Sequence, residues 1–387
     1  MESATTTARR TGNPEALAAA TMCEAFQLTA AARPEQVALR TIGDAVSLTF
    51  EQYAERVRRL AAGLHALGVS RGSTVGLMLT NRPEFHLIDT AAMHLGAVPF
   101  SIYNTSSAEQ IAYMLANAGN RVMVVESAFV ERAREAMAGV DGVEHLVLID
   151  AAADGTIEMS DLEASPPAPG FDFDGAWRAV RGDDLLTLIY TSGTTGPPKG
   201  VQLTHANEMA ECRGVDAVGR PEPGGSVISF LPHAHIADRG LSHYAQMVWG
   251  HTITCCPEVT QVFAHVADAR PTFFGGVPRI WEKLKAALEA QTDADTREAI
   301  TRGIKRVRAD PQSEPDAADA ARFAAIRARL GFDRCQWYMI GAAPCPLDVL
   351  EFFAAIGIPI CEVWGMSETA SIATLVPADN LRLGTCL

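Results

Sequence analysis

The sequence is poor in lysine, in aromatic residues and in long apolar runs, and it has no C-x-x-C pair. Its only lysines are Lys199, Lys283, Lys285 and Lys305, and every other basic residue is arginine. Acidic side chains outnumber basic ones 46 to 32, giving a net charge of −14. That balance excludes general electrostatic attraction as a way of holding nucleic acid or an anionic membrane. An anionic ligand would need a local cationic or N–H-rich site. No run of about twenty apolar residues occurs, so no segment reads as a transmembrane helix. The most apolar stretch, 87–103, is broken by Asp89 and His94. The start of the chain lacks the apolar core of a signal peptide. A peripheral membrane contact stays open. Several of the eight cysteines sit in apolar, strand-like runs, and they read as reduced, mostly buried thiols of a cytoplasmic protein.

What is present is a chain of 387 residues, 48% hydrophobic, enough for two or three domains or subdomains. Residues 1–14 are small and polar and are expected to be disordered. From 15 to 180 helical and strand-like segments alternate. Helices are expected over 50–67, with Thr49 as N-cap and Gly68 as stop, and over 83–95, 108–118 and 128–138. Strands are expected over 74–79, 98–102, 121–125 and 143–149. Residues 151–180, rich in proline and acids, read as a connector closing this first unit. A second alternating unit runs from 181 to 387, with strands at 185–190, 227–231, 252–255, 272–274, 336–340 and 358–363. Its expected helices include 242–249, 278–290, 322–330 and 347–355. Within the last of these, Asp348 and Glu351 read as a solvated face. The pattern predicts an α/β fold of two βα-alternating subdomains, with largely parallel sheets covered by helices.

The chemistry concentrates in residues 190–201, Tyr-Thr-Ser-Gly-Thr-Thr-Gly-Pro-Pro-Lys-Gly-Val. A strand feeds two glycines, four hydroxyls and one of the rare lysines. Glycines let consecutive N–H groups approach a phosphate, and hydroxyls add donors or ligate a phosphate-bound cation. It is not a Walker A loop, because Pro198 stands where that motif needs glycine before the lysine.

This string resembles the phosphate-binding signature of the acyl-adenylating superfamily, which includes acyl-CoA synthetases and luciferases. The resemblance makes Thr191, Ser192, Gly193, Thr194, Thr195, Gly196 and Lys199 nucleotide-binding candidates. It implies that Ser192, Thr194, Thr195 and Lys199 surround the triphosphate of ATP, with Thr194 a magnesium ligand. Two later segments resemble the family's adenine and magnesium elements: Gly341-Ala342-Ala343-Pro344, and Glu362-Val363-Trp364-Gly365-Met366-Ser367-Glu368. They imply a wall of the adenine slot, an aromatic lining at Trp364, an α-phosphate contact at Ser367 and a magnesium carboxylate at Glu368. Taken alone, Trp364 would be ordinary core packing and Glu368 a solvated carboxylate.

The segment Leu231-Pro232-His233-Ala234-His235 looks like the family's L-P-x-x-H element and implies that His235 lies near the acyl carboxylate; as a metal pattern it is weak. His205 is read as structural. The run Val277-Pro278-Arg279-Ile280-Trp281-Glu282-Lys283, after Gly275-Gly276, is similar to that of long-chain fatty acid–CoA ligases. Lys199, His235 and Glu368 are the implied catalytic residues. ATP, magnesium and coenzyme A are the implied cofactors and co-substrates, with a fatty acid as substrate. His235, Trp249 and Phe274 are candidate walls of an acyl tunnel. Family members continue beyond Leu387 with a mobile C-terminal domain and its lysine, so this chain is expected to be incomplete for turnover and weak or inactive alone. A carrier-protein thiol as acceptor, or a non-catalytic nucleotide- or acyl-binding remnant, are the alternatives.

Overall fold

The computed structural model describes residues 14–191 and 197–385. Fifteen strands among these residues form three sheets. The largest has seven, in spatial order Ile157–Glu158, His145–Leu148, Val122–Val125, Thr74–Met78, Val98–Ser101, Leu185–Thr191 and Lys199–Thr204. Every neighbour pairs in parallel except the last two, which form a hairpin. Val98–Ser101 and Val122–Val125 are buried at every position, as strands covered on both faces must be. A second sheet orders Ser226–Ser229, Thr252–Cys255, Val37–Thr41 and Ser47–Thr49. A third orders Phe273–Gly276, Trp337–Ile340, Ile360–Trp364 and Thr374–Leu375.

The expected division between 180 and 181 is crossed in both directions. The hairpin 185–204 completes the sheet built by the first unit, and Val37–Thr41 pairs with Thr252–Cys255 of the second. Local periodicity carries no record of such long-range pairing. Pro14 already opens a helix, Pro14–Ala18; residues 1–13 lie outside the described residues.

Most expected elements appear within a residue or two, because their end signals are strong. Thr49 with Gln52, Ser107 with Gln110 and Thr204 with Asn207 form reciprocal capping boxes. The connector 151–180 is more structured than expected. It adds the edge strand Ile157–Glu158 and the helices Met159–Ala164 and Phe173–Arg178, too short to show a period. Met159–Ala164 packs on helix Phe50–Ala66 at Gly63, where a Cβ would lie 2.2 Å from the Leu162 carbonyl oxygen. Asp348 is exposed and pairs with Lys285, but Glu351 is a correction: it is buried, held by two 2.8 Å bonds from Arg308 of helix Ala294–Ala309. The seven described cysteines are free thiols, five of them buried. No helix among the described residues is long and apolar enough to cross a membrane.

Burial gives the fold a pH dependence. Seven histidines, 86, 94, 205, 233, 235, 243 and 251, have their pKa lowered by desolvation; His94, His205 and His251 fall to about 4. Lowered folded values mean that the unfolded chain takes up protons first, so this stability is present above about pH 6.5 and lost as pH falls toward 4. Four carboxyls raised chiefly by burial, Glu208, Glu211, Asp238 and Glu362, act in the opposite sense. With seven groups against four, the urea midpoint should fall steadily from pH 6.5 to 5. A level midpoint over that range would show that the rings are not held neutral by the fold.

Candidate active site

Five strands deliver their carboxyl ends to one cavity of about 490 Å³. In open α/β sheets, ligands bind in such crevices, where loops leave the strand ends. Leu185–Thr191 contributes Thr191. Ser226–Ser229 leads into the loop carrying Leu231, His235 and Ile236. The parallel strands Phe273–Gly276, Trp337–Ile340 and Ile360–Trp364 contribute Gly275 to Val277, Met339 to Ala342, and Val363 with the following turn.

That turn, 365–372, holds Met366, Ser367, Glu368, Ser371 and Ile372 against the cavity. It is closed by bonds from Ala373 N–H to Trp364 O (2.9 Å), Thr369 N–H to Met366 O (3.1 Å) and Met366 N–H to Thr369 Oγ1 (3.1 Å). Strain collects here. Ala342, Ala370 and Ser371, none of them glycine, have φ of 67°, 59° and 108°. Backbone held in this region costs energy and concentrates at binding sites.

His235 is exposed on the cavity wall. Its Nδ1 accepts the Ala237 N–H at 3.1 Å, capping the short helix Ile236–Asp238. Desolvation lowers its pKa, so the ring is neutral at pH 7, with the proton on Nε2. Glu368 is exposed and Ser367 buried. Among the described residues, Glu368 is the cavity's only carboxylate and no lysine or arginine lines it.

The sequence candidates therefore separate. Thr191, His235, Gly341, Ala342, Val363, Gly365, Met366, Ser367 and Glu368 come together. Lys199 is exposed and sits opposite Thr191 in the hairpin register, at the base of the loop. Its strand packs against the turn Ser367–Thr369. Ser192, Gly193, Thr194, Thr195 and Gly196 lie outside the described residues. Ala343 and Pro344 are exposed in the loop beyond Ala342 and do not line the cavity. Glu362 and Trp364 are not brought to it either. Strand residues alternate faces, and Val363 takes the cavity side. Glu362 instead accepts the N–H groups of Gly384 (2.5 Å) and Thr385 (3.0 Å), and Trp364 is 52% exposed. In the run 275–283 the glycines and Val277 form wall, while Trp281 is core and donates to the Met339 carbonyl at 3.2 Å.

Sequence reasoning missed the polar core behind His235. Fully buried Arg239 donates to Asp89 (2.6 Å), Ser101 Oγ (2.9 Å), Tyr244 OH (3.1 Å) and the His233 carbonyl (2.9 Å). His243 Nε2 stands 2.9 Å from the other Asp89 oxygen. Asp238 gathers the hydroxyls of Ser229 (2.7 Å) and Ser242 (2.9 Å) and the Leu231 N–H (3.1 Å). The helix expected at 242–249 begins earlier, with a wide π-helical turn at Arg239–Tyr244 that aims Arg239 and His243 inward. The available signal was an acid, Asp89, interrupting the most apolar stretch of the chain.

Residues 26–386 match the family model described as AMP-binding enzyme. Among curated proteins, fatty-acid–CoA ligase fadD11 of Mycobacterium tuberculosis is 44% identical over 250 residues, covering 60% of this chain and 44% of that one. Long-chain-fatty-acid–CoA ligase ACSBG2 of Xenopus laevis is 30% identical, covering 88% of this chain and 49% of that one. The chain thus spans about half the length of the curated relatives it matches. The N-terminal domain of FACL13 from Mycobacterium tuberculosis shares the fold, with a TM-score of 0.72 at 22% identity over 95% of this chain and 81% of that one.

Proposed function

The chain belongs to the AMP-binding enzyme family, and on that premise we propose that it activates a fatty acid by adenylation. The carboxylate attacks the α-phosphate of ATP; the new C–O–P linkage forms as the α–β phosphoanhydride breaks and pyrophosphate leaves. In the complete reaction the thiol of coenzyme A displaces AMP from the acyl-adenylate. The supporting observation is the convergence of Thr191, His235, Ser367 and Glu368 on one cavity at five strand ends.

In this reading the 341–342 loop and Val363 bound the adenine, and the Thr191–Lys199 loop takes the phosphates. Neutral His235 donates from Nε2 to the substrate carboxylate, leaving the other oxygen to attack. Glu368 offers a hard oxygen of the kind magnesium selects and, with Thr194, is the proposed holder of that ion. Bound magnesium would neutralise phosphate charge. The subclass resemblance at 275–283 favours a long acyl chain, and the largely apolar wall formed by Leu231, Ile236, Leu241 and Met339 supports it.

Calorimetry on the 387-residue chain tests this. MgATP and a non-hydrolysable acyl-sulfamoyl adenosine should both bind. Glu368→Gln should weaken MgATP about tenfold, a loss of about 1.4 kcal/mol, with little effect on the analogue, which carries no pyrophosphate. Absence of binding by both ligands would sink the reading.

A further inference from the structure

Helix His205–Gly219 carries three potential metal ligands that neither the fold nor adenylation explains. Glu208, Glu211 and Cys212 stand at positions i, i+3 and i+4, which share one face of the helix. Their donor atoms all lie within 4.8 Å of one another. Clustering alone would say little, since acids crowd many surfaces. This cluster is inside the protein: Glu208 and Cys212 are wholly buried and Glu211 is partly buried.

Glu208 supplies a separate observation. Both of its carboxylate oxygens are shut off from solvent, and neither has a hydrogen-bond partner among the described residues. An unsatisfied buried carboxyl costs stability and calls for a partner. A proton shared with Glu211 would occupy one oxygen only. Glu211 is tied to the cavity wall, where it accepts the Ile372 N–H.

We propose that Glu208, Glu211 and Cys212 bind a zinc ion, which braces their helix against the 365–372 turn of the main cavity. Two carboxylate oxygens with one thiolate suit zinc, whereas magnesium and calcium take oxygen ligands. Oxygen ligands at about 2.1 Å and sulfur at about 2.3 Å place tetrahedral donors roughly 3.5 Å apart, so the three side chains close in by about 1 Å on binding. The fourth position falls to a water, and a gap of about 20 Å³ beside Glu211 and Gly240 has room for one. Trp249 lines this gap and Phe274 is packed in the core, so neither walls the main cavity. The ionised ligands carry one charge more than the ion cancels, and Arg239, on the neighbouring π-helical turn, favours the ionised form of Glu208. A buried site of this kind fills as the chain folds and needs no channel.

The inference does not rest on the proposed adenylation, and its test reads metal rather than activity. The 387-residue chain, expressed with zinc in the medium and purified without chelator, should retain about one zinc per chain by atomic emission. Replacing zinc by cobalt should give an intense thiolate-to-metal charge-transfer band. Cys212→Ser should remove that band, and Glu208→Leu should remove the metal. Glu208→Leu loses the buried carboxyl together with the ligand, so it should fold without the ion, with a Tm that zinc no longer raises. A wild-type chain that emerges without stoichiometric zinc overturns the proposal, as does a zinc content unchanged in Glu208→Leu or a cobalt form that lacks the thiolate band. Where Cys212→Ser does not fold, the cobalt spectra of the wild type and of Glu208→Leu decide.

Discussion

Asp89→Ala is expected to lower the free energy of unfolding by about 3–5 kcal/mol, the effect of removing one partner from a buried ion pair. Asp89 and Arg239 are both wholly buried, with N–O at 2.6 Å, and His243 closes on the second carboxylate oxygen. Burial alone would raise the Asp89 pKa, but Arg239 and His243 hold it below the usual range. Without Asp89 the guanidinium keeps only neutral partners, and its desolvation is left uncompensated. The same change loosens the site, because Arg239 Nε fixes the His233 carbonyl two residues before His235. Denaturant unfolding of the variant, and of Asp89→Leu with Arg239→Met, measures the effect. The double variant should recover much of the loss, since an apolar pair replaces two charges. A loss below about 1 kcal/mol for Asp89→Ala would mean that water reaches Arg239 in the fold.

The legible part of the molecule was the part encoded locally. Capping boxes at Thr49 and Ser107 mark the starts of the helices expected from 50 and 108; helix His205–Gly219, opened by the box at Thr204, was not among the expected ones. Helix Leu347–Ala355 and strand Thr252–Cys255 also matched their expected bounds. The candidate site was legible where glycines and rare residue types mark strand ends, at Thr191, His235 and Ser367–Glu368. It was not legible where the outcome depends on which face of a strand meets the cavity. Glu362 and Trp364 were assigned by motif, but alternation about Val363 turns them away. Nor does sequence show that Asp89 meets Arg239 across 150 residues, that Glu351 is buried by Arg308, or that Ser371 and Ile372 fold back onto the wall. Those contacts are set by packing between distant elements, on which neither periodicity nor capping reports.

Gly365→Ala should cost the site most. A Cβ at this position would stand 1.5 Å from the Ser371 carbonyl oxygen and 2.6 Å from its carbon. Both are backbone atoms, so no rotamer change relieves the overlap. The turn is closed by three bonds and already carries positive φ at Ala370 and Ser371, leaving no slack to absorb the shift. Opening it moves Ser367, Glu368 and Ser371 together, away from the geometry they share with Thr191 and His235. Displacement on the order of 1 Å at a site can cost about a hundredfold, so MgATP and acyl-sulfamoyl adenosine binding should both weaken by about that factor. Gly341→Ala is the contrast. Its Cβ would meet Val363 Cγ2 at 2.7 Å, a side-chain atom that can rotate, and the Val363 carbonyl oxygen at 3.2 Å, which needs a shift of only a few tenths of an ångström, so the loss should be a few-fold. Calorimetry of the two variants at matched Tm separates a local effect from a global one. Equal affinities for Gly365→Ala and the unaltered chain would show that the 365–372 turn takes no part in holding the nucleotide.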